Sequence, residues 1–109
     1  MSGGAAAIAV TPEPPYYAVI FTSLRTDGDN GYAAMAERMV EATQGMPGFL
    51  GIESVRETLG ITLCYWRDLA SIAAWKAHVE HIAAQKRGAE EWYSAHRVRI
   101  CKVEREYGT

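Results

Sequence analysis

His78 and His81 follow Trp75 at steps of three in the stretch "AWKAHVEH", and Trp66 stands nine residues before Trp75 (75 − 66). Imidazole is the side chain best matched to taking a proton near neutral pH. Residues three apart on a helix share a side, so a helix here would set two proton acceptors beside an indole wall. A single helix through both tryptophans would put the rings on opposite faces, because nine residues are two and a half turns. A strand, a turn and a helix would instead fold both rings over one pocket. The plainer alternative is that the histidines are solvated and the tryptophans are ordinary core.

Other chemistries find no support. Glu80 lies between the two histidines and points elsewhere, and no carboxylate and cysteine set joins them at a zinc-like spacing, so no metal is expected. There is no Gly-rich phosphate loop after a strand, no Ser or Cys nucleophile motif and no nucleotide fingerprint, so neither NAD nor flavin is indicated.

The elements that must position these residues are legible as patterns. Tyr16 to Leu24, "YYAVIFTSL", is β-branched and aromatic, stops at "TDGDNG", and reads as a strand. Tyr32 to Met46 carries Tyr32, Met35, Met39, Ala42 and Met46 at steps of three and four, an amphipathic helix with Asp29 or Asn30 as cap and Gly45 and Pro47 as stop. Phe49 to Glu57 and Ile61 to Trp66 flank a short connection and form a hairpin. Leu69 to about Tyr93 is helical, with Ile72, Trp75, Val79 and Ile82 on one stripe and a break at Gly88, and Arg97 to Tyr107 closes as a strand. The order is β-α-β-β-α-β, the α+β ferredoxin-like arrangement.

Composition narrows the partners. The chain of 109 residues is 22% charged and 49% apolar, with 11 basic and 13 acidic side chains and a net charge of −2. These values fit one globular domain and argue against nucleic acid or an anionic membrane as partner, leaving a small-molecule ligand or a protein partner. Residues 1–15 hold a six-residue apolar run but no basic start, so they read as a flexible arm ahead of a domain over 16–109. Cys64 and Cys101 lack a C-x-x-C spacing and lie in apolar segments, which predicts buried free thiols and a cytoplasmic setting.

The strands are apolar on both faces. Tyr17, Val19 and Phe21 alternate with Ala18 and Ile20, Ile61, Leu63 and Tyr65 with Cys64 and Trp66, and Val98 and Ile100 with Cys101 and Val103. Helices of such a unit cover one face only. A second subunit covering the other is the expectation, since a bare apolar sheet exceeds the patch a soluble monomer tolerates.

The order of elements, the run "MPGFLGIES" from Met46 to Ser54, and the tryptophan-bearing stretch from Tyr65 to Lys76 together resemble the antibiotic biosynthesis monooxygenase (ABM) superfamily. The resemblance covers about Tyr16 to Tyr107 and implies a homodimer whose two ferredoxin-like sheets form a shared β-barrel. It also implies that Trp75 faces the cavity between sheet and helices and that Trp66 braces its edge. The superfamily contains several activities. Its haem-degrading branch needs a first-strand asparagine and an axial histidine ten residues beyond the helix tryptophan. Here those positions hold Phe21 (or Ser23) and Gln85, which disfavours haem as a cofactor.

Oxygenation without a cofactor, on an aromatic or quinol-like substrate, is the activity the resemblance implies, with other small-substrate chemistry, such as isomerisation or decarboxylation, left open. Such oxygenation needs a proton acceptor, a dry apolar cavity, and donors that hold the substrate anion. His78 and His81 are the candidate acceptors beside Trp75. Arg56 and Tyr93 are candidates to hold a phenolate, and Trp66 and Phe21 to line the cavity. Arg56 on a solvated strand face, and Tyr93 as simple packing, are the bland alternatives. The same cavity in a non-catalytic binding module is the alternative function.

Overall fold

The computed structural model describes residues 7–85 and 91–109, with side chains described for residues 7–80 and 91–109. Six elements run β1 (Tyr16–Arg25), α1 (Tyr32–Gln44), β2 (Phe49–Arg56), β3 (Gly60–Trp66), α2 (Leu69–Gln85) and β4 (Tyr93–Val103). The strands form one antiparallel sheet in the order β2-β3-β1-β4. This is the ferredoxin-like fold expected from the pattern. No helix among the described residues is long and apolar enough to cross a membrane.

Register makes rows across the sheet, and the side chains of one row share a face. One face carries Phe49, Trp66 and Tyr17, then Ile52, Cys64, Val19 and Ile100, then Ser54, Thr62, Phe21 and Val98, then Arg56, Gly60, Ser23 and His96. Trp66 meets Trp75 of α2 there, so this is the face toward the helices. The opposite, open face carries Tyr65 with Ala18 and Cys101, and Leu63 with Ile20 and Arg99. The alternation read from the sequence is the alternation observed.

Local signals set the helix ends. The Asp29 carboxylate accepts the N–H groups of Gly31 at 3.0 Å and Ala33 at 3.2 Å, closing the start of α1. Met35 is buried and Met39 half-buried, and α1 stops at Gln44, two residues before Met46, because Gly45 turns its N–H back to Ala42. Asp68 caps α2, accepting from the Ser71 N–H at 2.8 Å and the Ser71 hydroxyl at 2.7 Å. Gly48, with a φ of 84°, packs against the same serine. A Cβ there would fall 2.7 Å from Ser71 Cβ and closer still to its oxygen. Asp68 and Gly48 together fix the first turn of α2, one turn before Trp75.

Two expectations change. Tyr93 does not end a helix; it opens β4, which therefore begins four residues earlier than Arg97 and ends at Val103. The Tyr93 backbone pairs with Arg25 through an irregularity at Leu24 and Arg25, and Thr26 N–H bonds to Trp92 O at 3.0 Å. Strand pairing outweighs a stretch with no strong period of its own. Cys101 is exposed, because it sits on the open face at the β4 edge, whereas Cys64 lies toward the helices.

The described part of the arm lies on the open face. Ala9 donates its N–H to Glu53 Oε2 at 3.0 Å, and Tyr65 donates to Glu53 Oε1 at 2.6 Å. Thr11 donates to Glu106 at 2.8 Å, and the Tyr16 hydroxyl also donates to that carboxylate.

The bonds from Ser71 hold the Asp68 carboxyl below its ordinary pKa, and those from Tyr16 and Thr11 do so for Glu106. A depressed carboxyl contributes stability that is full above its unfolded pKa and lost as pH falls through its folded one. Asp68→Asn should therefore lower the melting temperature at pH 7 and make the acid limb of a stability–pH curve shallower. Gly48→Ala combines a left-handed backbone with a clash and should cost about 1–3 kcal/mol in chemical denaturation.

Candidate functional site

The helix-facing side of the sheet has an aromatic end and a cationic end. At the aromatic end Trp66 is fully buried. Its ring lies 5.5 Å from Phe49 and 5.9 Å from Trp75, centroid to centroid. Trp75 is half-buried, and its outer side meets the exposed His78 ring at 5.7 Å. The two tryptophans therefore do close over each other from strand and helix. Trp66 is core rather than an edge brace, and its indole N–H is buried with no hydrogen-bond partner among the described residues. An unpaired buried donor costs on the order of 1–3 kcal/mol.

Val19 and Cys64 form the floor between the ends. Burial pushes the Cys64 thiol up to about 12, so it is an inert apolar wall and no nucleophile.

The cationic end is built by register. Arg56, Gly60, Ser23 and His96 stand in one row from β2 to β4. The Arg56 guanidinium crosses β3 directly over Gly60, where a Cβ would fall 2.6 Å from Nε. It then donates to the Ser23 hydroxyl and, at 3.4 Å, to the Ser23 carbonyl. The buried Ser23 thus anchors a charge that belongs to a strand two places away. Phe21 meets the Tyr93 ring at 5.1 Å and the His96 ring at 5.8 Å, and Tyr93 meets Tyr32 of α1 at 5.7 Å. Arg25 lies 3.7 Å over the Tyr32 ring, a cation–π contact.

Burial, then the neighbouring Tyr32, raise the Tyr93 phenol well above its ordinary value, and Arg56 and Arg25 pull only partly against this. Tyr93 therefore stays a neutral hydrogen-bond donor at any physiological pH. A neutral donor beside two guanidinium groups and an imidazole can hold an oxyanion.

Of the residues singled out in the sequence, the structure joins Trp66, Trp75 and His78 in one group and Phe21, Tyr93 and Arg56 in the other. The His81 side chain lies outside the described residues, although its backbone belongs to α2. Phe21 and Trp66 sit four residues apart in strand register, about 13 Å at the usual rise of a strand. Sequence reasoning missed His96, Tyr32 and Arg25. The signal for His96 was available, because it alternates with Val98 and Ile100 on the same face once β4 is extended back to Tyr93. Two shallow concavities lie elsewhere, at the C-terminal tail and beside the arm at β2 and β3, and neither borders Trp75.

The family profile for antibiotic biosynthesis monooxygenases matches residues 15–87, more than half of the chain. The chain belongs to that family. It is 50% identical over 101 residues to the uncharacterized protein YqjZ of Bacillus subtilis, covering 91% of this chain and 89% of that one. The solved structure of PA3566 from Pseudomonas aeruginosa matches with a TM-score of 0.63 at 19% identity, over 88% of this chain and 99% of its own. NE2512 of Nitrosomonas europaea, a protein of unknown function, matches at 0.57 with 18% identity, over 90% and 96%. At these identities the two structures share the fold. The matched segment of the antibiotic biosynthesis monooxygenase profile ends before β4, so Tyr93 and His96 lie outside it.

Gly60→Ala tests how the cationic end is assembled. The displaced group is the end of a flexible side chain, so the melting temperature should barely move, while Arg56 loses its seat on Ser23. A crystal structure of the variant should show the guanidinium swung off β3. Trp66→Phe should destabilise by about 1–3 kcal/mol, and the half-buried Trp75→Phe by less, in parallel denaturation curves.

Proposed function

We propose that this protein is a cytoplasmic, homodimeric, cofactor-independent monooxygenase acting on an aromatic or quinol-like small molecule. The observation that carries the reading is the Arg56 guanidinium laid over Gly60 onto Ser23, beside Tyr93 and His96, at one end of an apolar floor whose other end is Trp75, seated on the buried Trp66. Membership of the family supports it, as do Ile20, Val55, Ile61 and Leu63 of the open face, which a second copy would cover.

In this reading a phenol or hydroquinone lies on Val19 and Cys64 with its hydroxyl toward Arg56. Proton acceptance falls to His96, the imidazole nearest the guanidinium row; His78 is the second acceptor, at the Trp75 end. Arg56 and the neutral Tyr93 hydroxyl hold the resulting oxyanion. The anion gives one electron to dioxygen, and the substrate radical and superoxide combine at a ring carbon. The peroxide then loses water to leave a carbonyl, so one oxygen atom enters the product and the other leaves as water. No cofactor is consumed, and the protein's contribution is deprotonation, orientation and charge.

The exposure of both His78 and His96 favours a second reading, a module that binds the same ligand without turnover. Oxygen uptake with a panel of hydroquinones and anthrones separates the two. Turnover should consume one dioxygen per substrate without hydrogen peroxide, and Arg56→Leu should lower kcat/KM by about a hundredfold. His96→Ala should lower kcat by about a hundredfold, whereas His78→Ala should leave it nearly unchanged. Ligand binding with no oxygen uptake anywhere in the panel would leave the binding module standing alone. Haemin titration should give no stoichiometric Soret shift; a strong one would return haem to the site. Trp75→Phe should alter ligand affinity more than Trp66→Phe does.

A further inference from the structure

β1 runs on past the row that holds Arg56. Arg25 stands two residues beyond Ser23, about 7 Å further along the strand, and pairs with Tyr93 of β4. Arg25 is half-buried, and its guanidinium lies over the Tyr32 ring on the helix-facing side. Tyr93 is thus flanked by one guanidinium from its own row and by Arg56 from the next.

Neither charge is neutralised. Arg56 rests on the Ser23 hydroxyl and carbonyl. Arg25 donates from Nη2 to the carbonyls of Gly28 and Asp29, both at a long 3.3 Å, while its Nε is buried and meets no acceptor among the described residues. The Asp29 carboxylate is taken up by the Gly31 and Ala33 N–H groups. Among the described residues no carboxylate lies within ion-pair distance of either guanidinium. Like charges gathered around one phenol repel, and a buried donor without a partner is unfavourable. A bound anion relieves both.

A neutral phenol does not supply that anion. Its hydroxyl suits Arg56 and Ser23, and it gains a charge only once deprotonated. A carboxylate is charged before any chemistry, and its two oxygens match the planar fork of an arginine. With the hydroxyl directed at Arg56, Arg25 lies one row further the same way, so the group it would meet is on the hydroxyl-bearing edge of the ring.

We propose that Arg25 selects aromatic hydroxy acids, ligands with a carboxylate next to the hydroxyl that Arg56 holds. This rests on the reading above that an aromatic ring lies on Val19 and Cys64, and it applies to a binding module as it does to an enzyme.

Isothermal titration of the full chain at pH 7 tests it with three ligands built on one ring. They are hydroquinone, gentisate, which adds an ionised carboxylate beside one hydroxyl, and gentisamide, its neutral amide. Wild type should bind gentisate at least about tenfold more tightly than the other two. Arg25→Gln should shrink that ratio to about twofold or less with hydroquinone affinity unchanged, and Arg25→Lys should keep part of the preference. Circular dichroism confirms folding, and Arg25→Met replaces Arg25→Gln should the latter misfold. Equal wild-type affinity for gentisate and gentisamide overturns the proposal, as does a preference kept in Arg25→Gln and lost in Arg56→Leu. Hydroquinone turnover, read separately by oxygen uptake, then stands or falls by itself. A gentisate preference without oxygen uptake upholds the role of Arg25 and removes the monooxygenase. A wild type that binds none of the three at about 10 mM overturns the aromatic ligand and this proposal together.

Discussion

Trp66 is the contact on which the remaining geometry depends. It is the last residue of β3 and is wholly shielded from solvent. It touches β2 through Phe49 and α2 through Trp75, and it is paired with Tyr17 of β1. A residue in an antiparallel sheet cannot slip by one position without turning its side chain to the other face. Burying the largest side chain at the end of β3 therefore locks the register of the whole strand. Everything downstream of that register, including Gly60 lying under Arg56, follows from it. The junction of Gly48, Asp68 and Ser71 plays the companion part for α2, because it sets the angle at which Trp75 descends on Trp66.

The fold was readable because its signals are local. Period two in the strands, period three to four in the helices, and Gly, Pro and Asp at the ends are each decided within a few residues. Asp29, Asp68 and Gly45 behave as such signals do. The aromatic end was readable for the same reason, since Trp66 and Trp75 sit on consecutive elements. Much of the cationic end was not. Arg56, Ser23 and His96 come from three strands far apart in sequence, and only the register between those strands makes them a row. The segment before His96 has no clear period, so its strand character is conferred by pairing with β1 and cannot be seen in the segment itself.

The division of labour across the helix-facing side has a chemical logic. The aromatic end supplies area and shape, with the exposed His78 at its outer margin. The other end gathers two guanidinium groups, two phenols and an imidazole around Phe21. Separation of this kind lets one end of a ligand be recognised by contact and the other by charge. One fold can host several activities, because the groups that carry function are grafted onto it. In this chain the grafted groups cluster at the ends of β1, β2 and β4, where a change of side chain leaves the buried Trp66 undisturbed.

The loop from Glu57 to Leu59 joins β2 to β3 and fixes which β3 residue lies opposite Arg56. Its length thereby decides whether the guanidinium crosses the sheet over a glycine or over a residue with a side chain. Among relatives, an insertion or deletion there that shifts the hairpin by one residue would carry Arg56 to the other face. The site would lose one of its two guanidinium groups, and with it much of its pull on anions. Hairpin length, a trait usually dismissed as surface drift, is in this architecture a determinant of ligand charge preference.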